Sequence, residues 1–272
     1  TNKTNNSTAF TQEYEINHYE VRTDFSLLTN IGHKLELGGS GIYYDLDRGS
    51  IKPYGDESNR SPFYPGRETA LEYAIYISDE FSLMSDLTVQ AGLRYSFFNQ
   101  FGPGSVNLYQ PVNQLTVENI SETKEYKPGE MIKAYSGPEY RFAINYSPGS
   151  NHSLKASYNR MLQYFFMLSN TIAISPDDRW KLCDYHIAPP VSDQVAIGYY
   201  KDFPNIGIKA SLELYHKWID KQVEYKDGID FISADPVETM ILQGKQRVNG
   251  LEMMINKNAG KISGWLSYCY SR

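Results

Sequence analysis

Apolar and polar side chains alternate with a period of two along much of the chain. From Leu87 to Phe97 the odd positions Leu87, Val89, Ala91, Leu93, Tyr95 and Phe97 are apolar, and the residues between them are polar or small. Between Ile206 and Trp218 the even positions Ile206, Ile208, Ala210, Leu212, Leu214 and Trp218 form the apolar set, with His216 as the one exception. Successive side chains of a strand point to opposite faces, so this spacing predicts two-faced β-strands. The same pattern, with interruptions, covers Leu71–Ile77, Tyr140–Tyr146, Leu154–Tyr158, Val195–Tyr199, Leu251–Ile255 and Ile262–Tyr270. Leu35–Tyr43 is diluted by Gly38, Gly39 and Gly41, and Tyr14–Leu27 changes phase near His18, which predicts a bulge there. Ten strands are expected.

Their connections alternate in length. Short turns rich in Gly, Pro, Asn or Asp fall at Thr29–Gly32, Met84–Asp86, Pro148–Asn151, Phe203–Asn205 and Asn258–Gly260. Long segments lie between them at Arg48–Arg67, Asn99–Ala134, Leu162–Pro190 and Lys226–Leu242. An outer-membrane barrel sorts its loops in this way, with tight turns on the periplasmic rim and long loops outside. Long structureless loops are uncommon in compact soluble domains. Thirteen residues from Ile206 to Trp218 reach about 43 Å, well beyond an ordinary soluble strand and enough to cross a bilayer at a tilt. Alternation alone does not say whether the apolar face meets a soluble core or lipid; strand length and loop sorting favour lipid.

Composition supports this picture. The chain combines a mean hydropathy of -0.50 with 23 Tyr and 12 Phe, which suits a wet lumen and an aromatic girdle facing lipid. No stretch approaches the roughly 18 apolar residues of a spanning helix, so any crossing is made by strands. A net charge of -6 without a Lys/Arg run argues against nucleic acid as a partner. Cys183, in a long loop, and Cys269, on a strand, have no metal-ligand spacing and read as two unpaired thiols. No signal peptide is visible in Thr1–Phe10, and the chain stops inside a strand pattern, so truncation at both ends is expected.

Candidate chemistry is sparse. The ionisable residues of the polar face, among them Lys34, Glu36, Glu72, Arg94, Glu139, Arg141, Lys155, Lys209, Glu213, Lys217 and Glu252, are of both signs and read as lumen charges that satisfy one another. Asn151-His152-Ser153 is the one neighbourhood that could suggest a phospholipase. Adjacent strand residues point to opposite faces, which opposes a nucleophile and base there. Asp177, Asp178, Asp184 and His186 crowd a loop with Trp180 and Tyr185 and could hold calcium, although their spacing matches no cation loop and a solvated acidic loop is the plainer reading. Gly102 and Gly104 flank Pro103 without a following helix and mark a loop, not a phosphate cradle. No catalytic residue, metal or cofactor is therefore assigned.

Several stretches carry a resemblance. Gly92-Leu93-Arg94-Tyr95-Ser96, the run Tyr140-Arg141-Phe142-Ala143-Ile144-Asn145-Tyr146 with Ser153-Leu154-Lys155-Ala156-Ser157-Tyr158-Asn159-Arg160, then Gln163-Tyr164 and Leu168-Ser169-Asn170 are similar to consecutive segments of TonB-dependent outer-membrane receptors, especially of the Bacteroidetes type. Pro190-Val191-Ser192-Asp193-Gln194, Gly198-Tyr199, Gly250-Leu251-Glu252 and Gly264-Trp265-Leu266-Ser267-Tyr268 continue it, in order, over roughly residues 68 to 272. The resemblance implies a barrel of about 22 strands around an N-terminal plug, contact with the TonB complex, and energised import of a scarce nutrient such as a siderophore, cobalamin, glycan or peptide. Neither plug nor TonB box is visible here.

Together these readings predict an all-β fold. Residues 1–272 are a partial transmembrane β-barrel domain of about ten long antiparallel strands, an open curved sheet with short periplasmic turns and long extracellular loops. The outward face should carry Leu93, Tyr95, Phe97, Ile144, Tyr146, Leu154, Tyr158, Ile197, Tyr199, Ile208, Leu212, Leu214, Ile255 and Leu266. Its partners would be outer-membrane lipid, the TonB complex through the plug region, and a small-molecule nutrient. Contact with that nutrient falls to aromatic residues of the long loops, Tyr109 and Tyr126 in the second and Phe165, Phe166, Trp180 and Tyr185 in the third. A passive porin or a plain structural barrel without a plug is the alternative, favoured if a basic or acidic constriction loop folds into the lumen; an outer-membrane enzyme would need a His and a Ser or carboxylate converging on one face.

Overall fold

The computed structural model describes residues 9–59, 61–111, 115–169, 178–227 and 236–272; most of the Thr1–Phe10 segment, together with Asn170 and Asp177, lies outside the described residues. Ten strands, β1 (Phe10–Leu28), β2 (His33–Pro53), β3 (Arg67–Met84), β4 (Leu87–Phe101), β7 (Met131–Tyr146), β8 (His152–Leu162), β11 (Val191–Phe203), β12 (Ile208–Tyr225), β13 (Ile241–Lys257) and β14 (Gly264–Ser271), form one antiparallel meander in that order. Two hairpins stand apart from it, β5 (Gly104–Tyr109) with β6 (Ile120–Tyr126) and β9 (Phe165–Leu168) with β10 (Arg179–Leu182). Among the described residues, β1 and β14 each have a single neighbour, so the curved sheet stays open along both edges. No helix among the described residues is long and apolar enough to cross a membrane.

The strands exceed the expected length. β2 has 21 residues, which extend about 69 Å at ~3.3 Å each. A lipid band about 25 Å tall crossed at a ~40° tilt consumes only about ten of them. The remainder forms a wall beyond the bilayer, so segments read as loop from Arg48 and from Asn99 begin as strand. All five short connections lie at one end of the meander and all four long ones at the other.

Register explains the faces. Cross-strand rows such as Tyr146–Leu154–Tyr199–Leu212–Met253–Tyr268 and Ile144–Ala156–Ile197–Leu214–Leu251–Tyr270 run round the convex face. The predicted lipid-facing side chains are not packed in a core: exposure runs from 38% at Leu212 to 70% at Leu266, and Phe97, Ile144, Tyr158 and Ile208 are half-buried between neighbours. On β11, eight residues separate Lys201 near one edge of this band from Asp193 near the other, about 20 Å across the membrane at that tilt. His216, the exception on the apolar face, sits beside the upper edge, with its ring against Trp218 and Nδ1 2.7 Å from the Asn249 side-chain oxygen.

The bulge expected near His18 is not there. Pairing is continuous from Glu15–Asp47 to Leu28–Lys34, and the irregularity sits between Glu13 and Glu15, opposite Arg48 and Gly49. Gly49 has φ +83°, and a Cβ there would meet the Glu13 carbonyl oxygen; only glycine suits that backbone. The apparent phase change arises because Ile16 points inward, where it packs on a buried cluster, while Tyr19 and Val21 point outward.

Candidate functional site

That cluster is the core of the molecule, and it lies against the concave face at the long-loop end. Tyr44, Leu46, Ala70, Phe98 and Val223 belong to the wall, while Tyr164, Phe166, Leu168, Leu182, Cys183 and Ile187 come from the third long segment. The β9–β10 hairpin therefore folds back across the inner wall instead of projecting outward. Tyr164 stacks on Phe98 with centroids 5.0 Å apart, and its hydroxyl shares a 2.9 Å hydrogen bond with Ser96. Burial pushes the Tyr164 phenol up to about 12. Full burial of Phe98, Leu182 and Ile187 stabilises the docked hairpin by roughly 1.5–3 kcal/mol each.

Beneath the hairpin sits an ionic cluster. Lys181, 2% exposed, donates to Glu68 Oε1 at 2.7 Å, to Asp184 Oδ2 at 2.6 Å and to the Leu182 carbonyl at 3.1 Å. Arg48 donates to Glu68 at 2.8 Å, and the Leu182 amide donates to the other Glu68 oxygen at 3.2 Å. Asp184 Oδ1 accepts the amides of His186 and Ile187, both at 2.8 Å. Burial alone would push the Asp184 carboxyl up, but the Lys181 ammonium and these amides outweigh it and hold the group below its ordinary range. Two cations and two carboxylates, Lys181, Arg48, Glu68 and Asp184, neutralise one another beneath the hairpin. A crevice of about 20 Å³ between it and the wall, lined by Leu46, Arg48, Pro65, Trp180 and Lys181, has room for about one water.

A second group crowns the mouth. Asn107 Nδ2 and the Tyr109 hydroxyl both donate to Glu238 Oε1, at 3.2 and 3.0 Å, which ties the second long segment to the fourth. His186 Nε2 lies 2.8 Å from the Asn107 carbonyl and donates to it, tying the third to the second. Tyr109 and Tyr185 approach His186 edge-on at 5.3 and 5.1 Å, and the Lys133 ammonium lies 5.0 Å over the Tyr185 ring. Burial and the Glu238 carboxylate push the Tyr109 phenol up.

The six aromatic residues predicted for ligand contact thus separate. Tyr109 and Tyr185 meet in the crown; Phe165 and Trp180 stack on each other at 4.7 Å; Phe166 and Tyr126 are buried. Asn107, Lys133 and Glu238 escaped the sequence reading, because they meet only through side-chain contacts between separate loops. The acidic loop divides too: Asp184 serves the ionic cluster, His186 serves the crown, and no group of three metal-ligating side chains converges among the described residues. His152 and Ser153 point to opposite faces, the first to the Tyr199 hydroxyl at 2.7 Å and the second to Asn145 at 2.5 Å. Both cysteines are free thiols, Cys183 buried and Cys269 exposed.

Below the hairpin the inner wall is polar and uncovered. A groove of about 430 Å³ runs past Gln90, Asn145, Lys155, Tyr200 and Glu213, with Tyr200 donating to Glu213 at 2.8 Å and Lys155 4.5 Å over the Tyr200 ring. Higher up, Arg94 sits between Glu72 at 3.7 Å and Glu139 at 3.4 Å. Cross-strand ion pairs of this kind join Arg94 to Glu72 and Glu139 and Lys209 to Asp202, whereas Arg141, Lys155, Glu213, Lys217 and Glu252, expected to pair likewise, make no ion pair among the described residues.

The family model described as TonB dependent receptor-like, beta-barrel, matches residues 1–272. No curated protein matches the chain. Among solved structures, it is similar to the FrpB iron transporter of Neisseria meningitidis (13% identity, TM-score 0.59), covering 96% of this chain and 36% of that one. The Serratia marcescens hemophore receptor HasR, solved with its hemophore HasA and heme, shares 15% identity at TM-score 0.62, over 97% of this chain and 43% of that one. The ferripyoverdine receptor of the Pseudomonas aeruginosa outer membrane shares 14% identity at TM-score 0.56, over 97% and 33%. The chain spans about a third to two fifths of the length of these structures.

Proposed function

The chain belongs to the TonB-dependent receptor β-barrel family, and from that membership we propose that it is part of an outer-membrane receptor that binds an extracellular nutrient and imports it with TonB-supplied energy. Its place is the outer membrane, with the short turns toward the periplasm. In this reading residues 1–272 are one part of a larger barrel domain, whose other strands cover the edges of β1 and β14. A plug domain occupies the polar wall below the hairpin and passes the TonB contact inward. The chain carries no catalysis of its own.

The observation that carries the reading is the docked β9–β10 hairpin. It narrows the mouth with an apolar-backed surface, while Tyr109, Tyr185 and His186, with the Lys133 cation and the Glu238 carboxylate, form an aromatic crown of mixed charge above it. Such a crown suits capture of a planar solute by stacking on its rings. The solved structures similar to it are an iron transporter, a ferripyoverdine receptor and a hemophore receptor bound to hemophore and heme, so an iron chelate is the proposed nutrient class. An inward loop could equally favour a passive porin, but Lys181, Glu68 and Asp184 spend their charge on one another.

Uptake of radiolabelled ferric chelates and of haem in cells that carry or lack the protein, each with and without TonB, tests this. Uptake should require both proteins, and Tyr109→Ala with Tyr185→Ala should weaken half-saturation about tenfold. Uptake that persists undiminished without TonB would overturn the energised mechanism in favour of a passive pore.

A further inference from the structure

The convex face carries a second built feature, far from the mouth. Near the short-turn edge, three cross-strand rows stack: Tyr199–Leu212–Met253–Tyr268, then Lys201–Ala210–Ile255–Leu266, then Phe203–Ile208–Lys257–Gly264. Ala210 is the small member of the middle row, and the larger side chains around it leave a groove of about 450 Å³. That volume falls within the range of small-molecule clefts. Its lining is apolar but for Ser211 and, at one end, Lys201.

Lys201 points to the lipid side without a carboxylate partner. Its sequence neighbour Asp202 lies on the other face and pairs with Lys209 at 3.6 Å. The Lys201 ammonium instead donates to His152 Nε2, across the strand pair. With Nε2 accepting, Nδ1 carries the ring proton and donates to the Tyr199 hydroxyl oxygen at 2.7 Å. The ammonium also lies 5.6 Å over the Phe203 ring on the same face, and the Tyr199 hydroxyl, accepting from His152, keeps its own proton to donate. A cation and a hydroxyl donor at the edge of a hydrocarbon band, above an apolar furrow, make an amphiphile-shaped site: anion at one end, acyl chain along the other.

We propose that this groove binds a glycerophospholipid of the periplasmic leaflet, one acyl chain lying over Ala210 and the phosphate held by Lys201 and Tyr199 with His152 positioning both. Charge complementarity selects the phosphate, and the place of the groove at the short-turn edge selects the leaflet. The site touches neither the hairpin nor the crown, so it serves anchoring and orientation of the barrel in its membrane, not ligand capture.

The test is native mass spectrometry of the full-length protein in mild detergent, titrated with dioctanoyl phosphatidylglycerol, with dioctanoylglycerol and inorganic phosphate as separate arms. One phosphatidylglycerol should be retained and neither control should match it. Lys201→Gln should weaken retention about fivefold, and Ala210→Phe, which fills the furrow, about tenfold, the equivalent of roughly two expelled methylenes. Heat-dependent gel mobility, a readout of the folded barrel, should not change for either variant. Equal retention of inorganic phosphate or of dioctanoylglycerol, or undiminished retention by folded Ala210→Phe, overturns the proposal. Because no nutrient is present, the outcome is independent of whether the receptor reading holds.

Discussion

Replacing Lys181 by Ala should undock the β9–β10 hairpin while leaving the sheet intact. The substitution removes the partner of Asp184 and one of the two cations on Glu68, and leaves their carboxylates buried beneath the hairpin. Breaking a buried pair from one side costs about 3–5 kcal/mol, and Arg48, still bonded to Glu68, sets the effect toward the lower end. The undocked population then rises between about a hundredfold and a few thousandfold. Amide exchange reads this directly, since the Leu182 amide is held by Glu68 of the wall. In the full-length protein this amide should exchange faster by that factor, while strand amides between Val195 and Tyr199 keep their protection. The sign with pH is also set. Asp184 is held below its ordinary 3.8, so its share of docking is complete above that value and lost as the pH falls through the depressed one. For Lys181, burial pulls the ammonium down but Asp184 and Glu68 outweigh it and hold it above its ordinary 10.5; its share is complete below that value and lost as the pH rises through the raised one. Docking is therefore flat between these limits. Exchange at Leu182 within threefold of wild type in Lys181→Ala would refute the reasoning.

Three further outcomes follow from the geometry. Ile197→Arg places a cation midway between Lys201 and Asp193 on the lipid face and should destabilise the barrel by about 2–4 kcal/mol in a urea titration in lipid vesicles, whereas Ser157→Arg, on the lumen face, should stay within about 1 kcal/mol. Gly49→Ala sets a Cβ against the Glu13 carbonyl at positive φ and should cost about 1–3 kcal/mol in the same titration; an unchanged midpoint would show that the β1–β2 irregularity relaxes freely. With a maleimide, Cys183 should not label in the folded protein and should label on unfolding, because it is buried and burial pushes its thiol up, away from the reactive thiolate.

The ten strands and the sorting of their connections were legible because both depend on local rules, the two-residue period and the turn residues. Third-segment limits at Leu162 and Pro190 coincide with the end of β8 and the start of β11. What lay inside the long segments was not legible. Gly104–Tyr109 and Ile120–Tyr126 pair with each other, and Phe165–Leu168 pairs with Arg179–Leu182, through contacts that leave no strict alternation, since the second hairpin is covered on one side by a wall contributed by distant strands. The same wall misled the reading of Tyr14–Leu27, where Ile16 is apolar for the inner cluster and Val21 for lipid. Burial likewise separates the positions of the aromatic candidates: Phe166 fills the core and Tyr126 lies beneath Lys124, while Tyr109 and Tyr185 lie at the mouth. An aromatic residue in a loop has the same sequence signature in either role.

The central claim is that the apolar face of the sheet meets lipid. Single spin labels placed in turn from Ile208 to Trp218 on β12, in the full-length protein reconstituted in bilayers, test it by collision with oxygen and with a water-soluble nickel chelate. The account predicts strict alternation, with even positions from Ile208 to Leu214 open to oxygen and closed to nickel, and odd positions Lys209, Ser211 and Glu213 the reverse or closed to both. Even positions inaccessible to oxygen, as in a dry protein core, would contradict it.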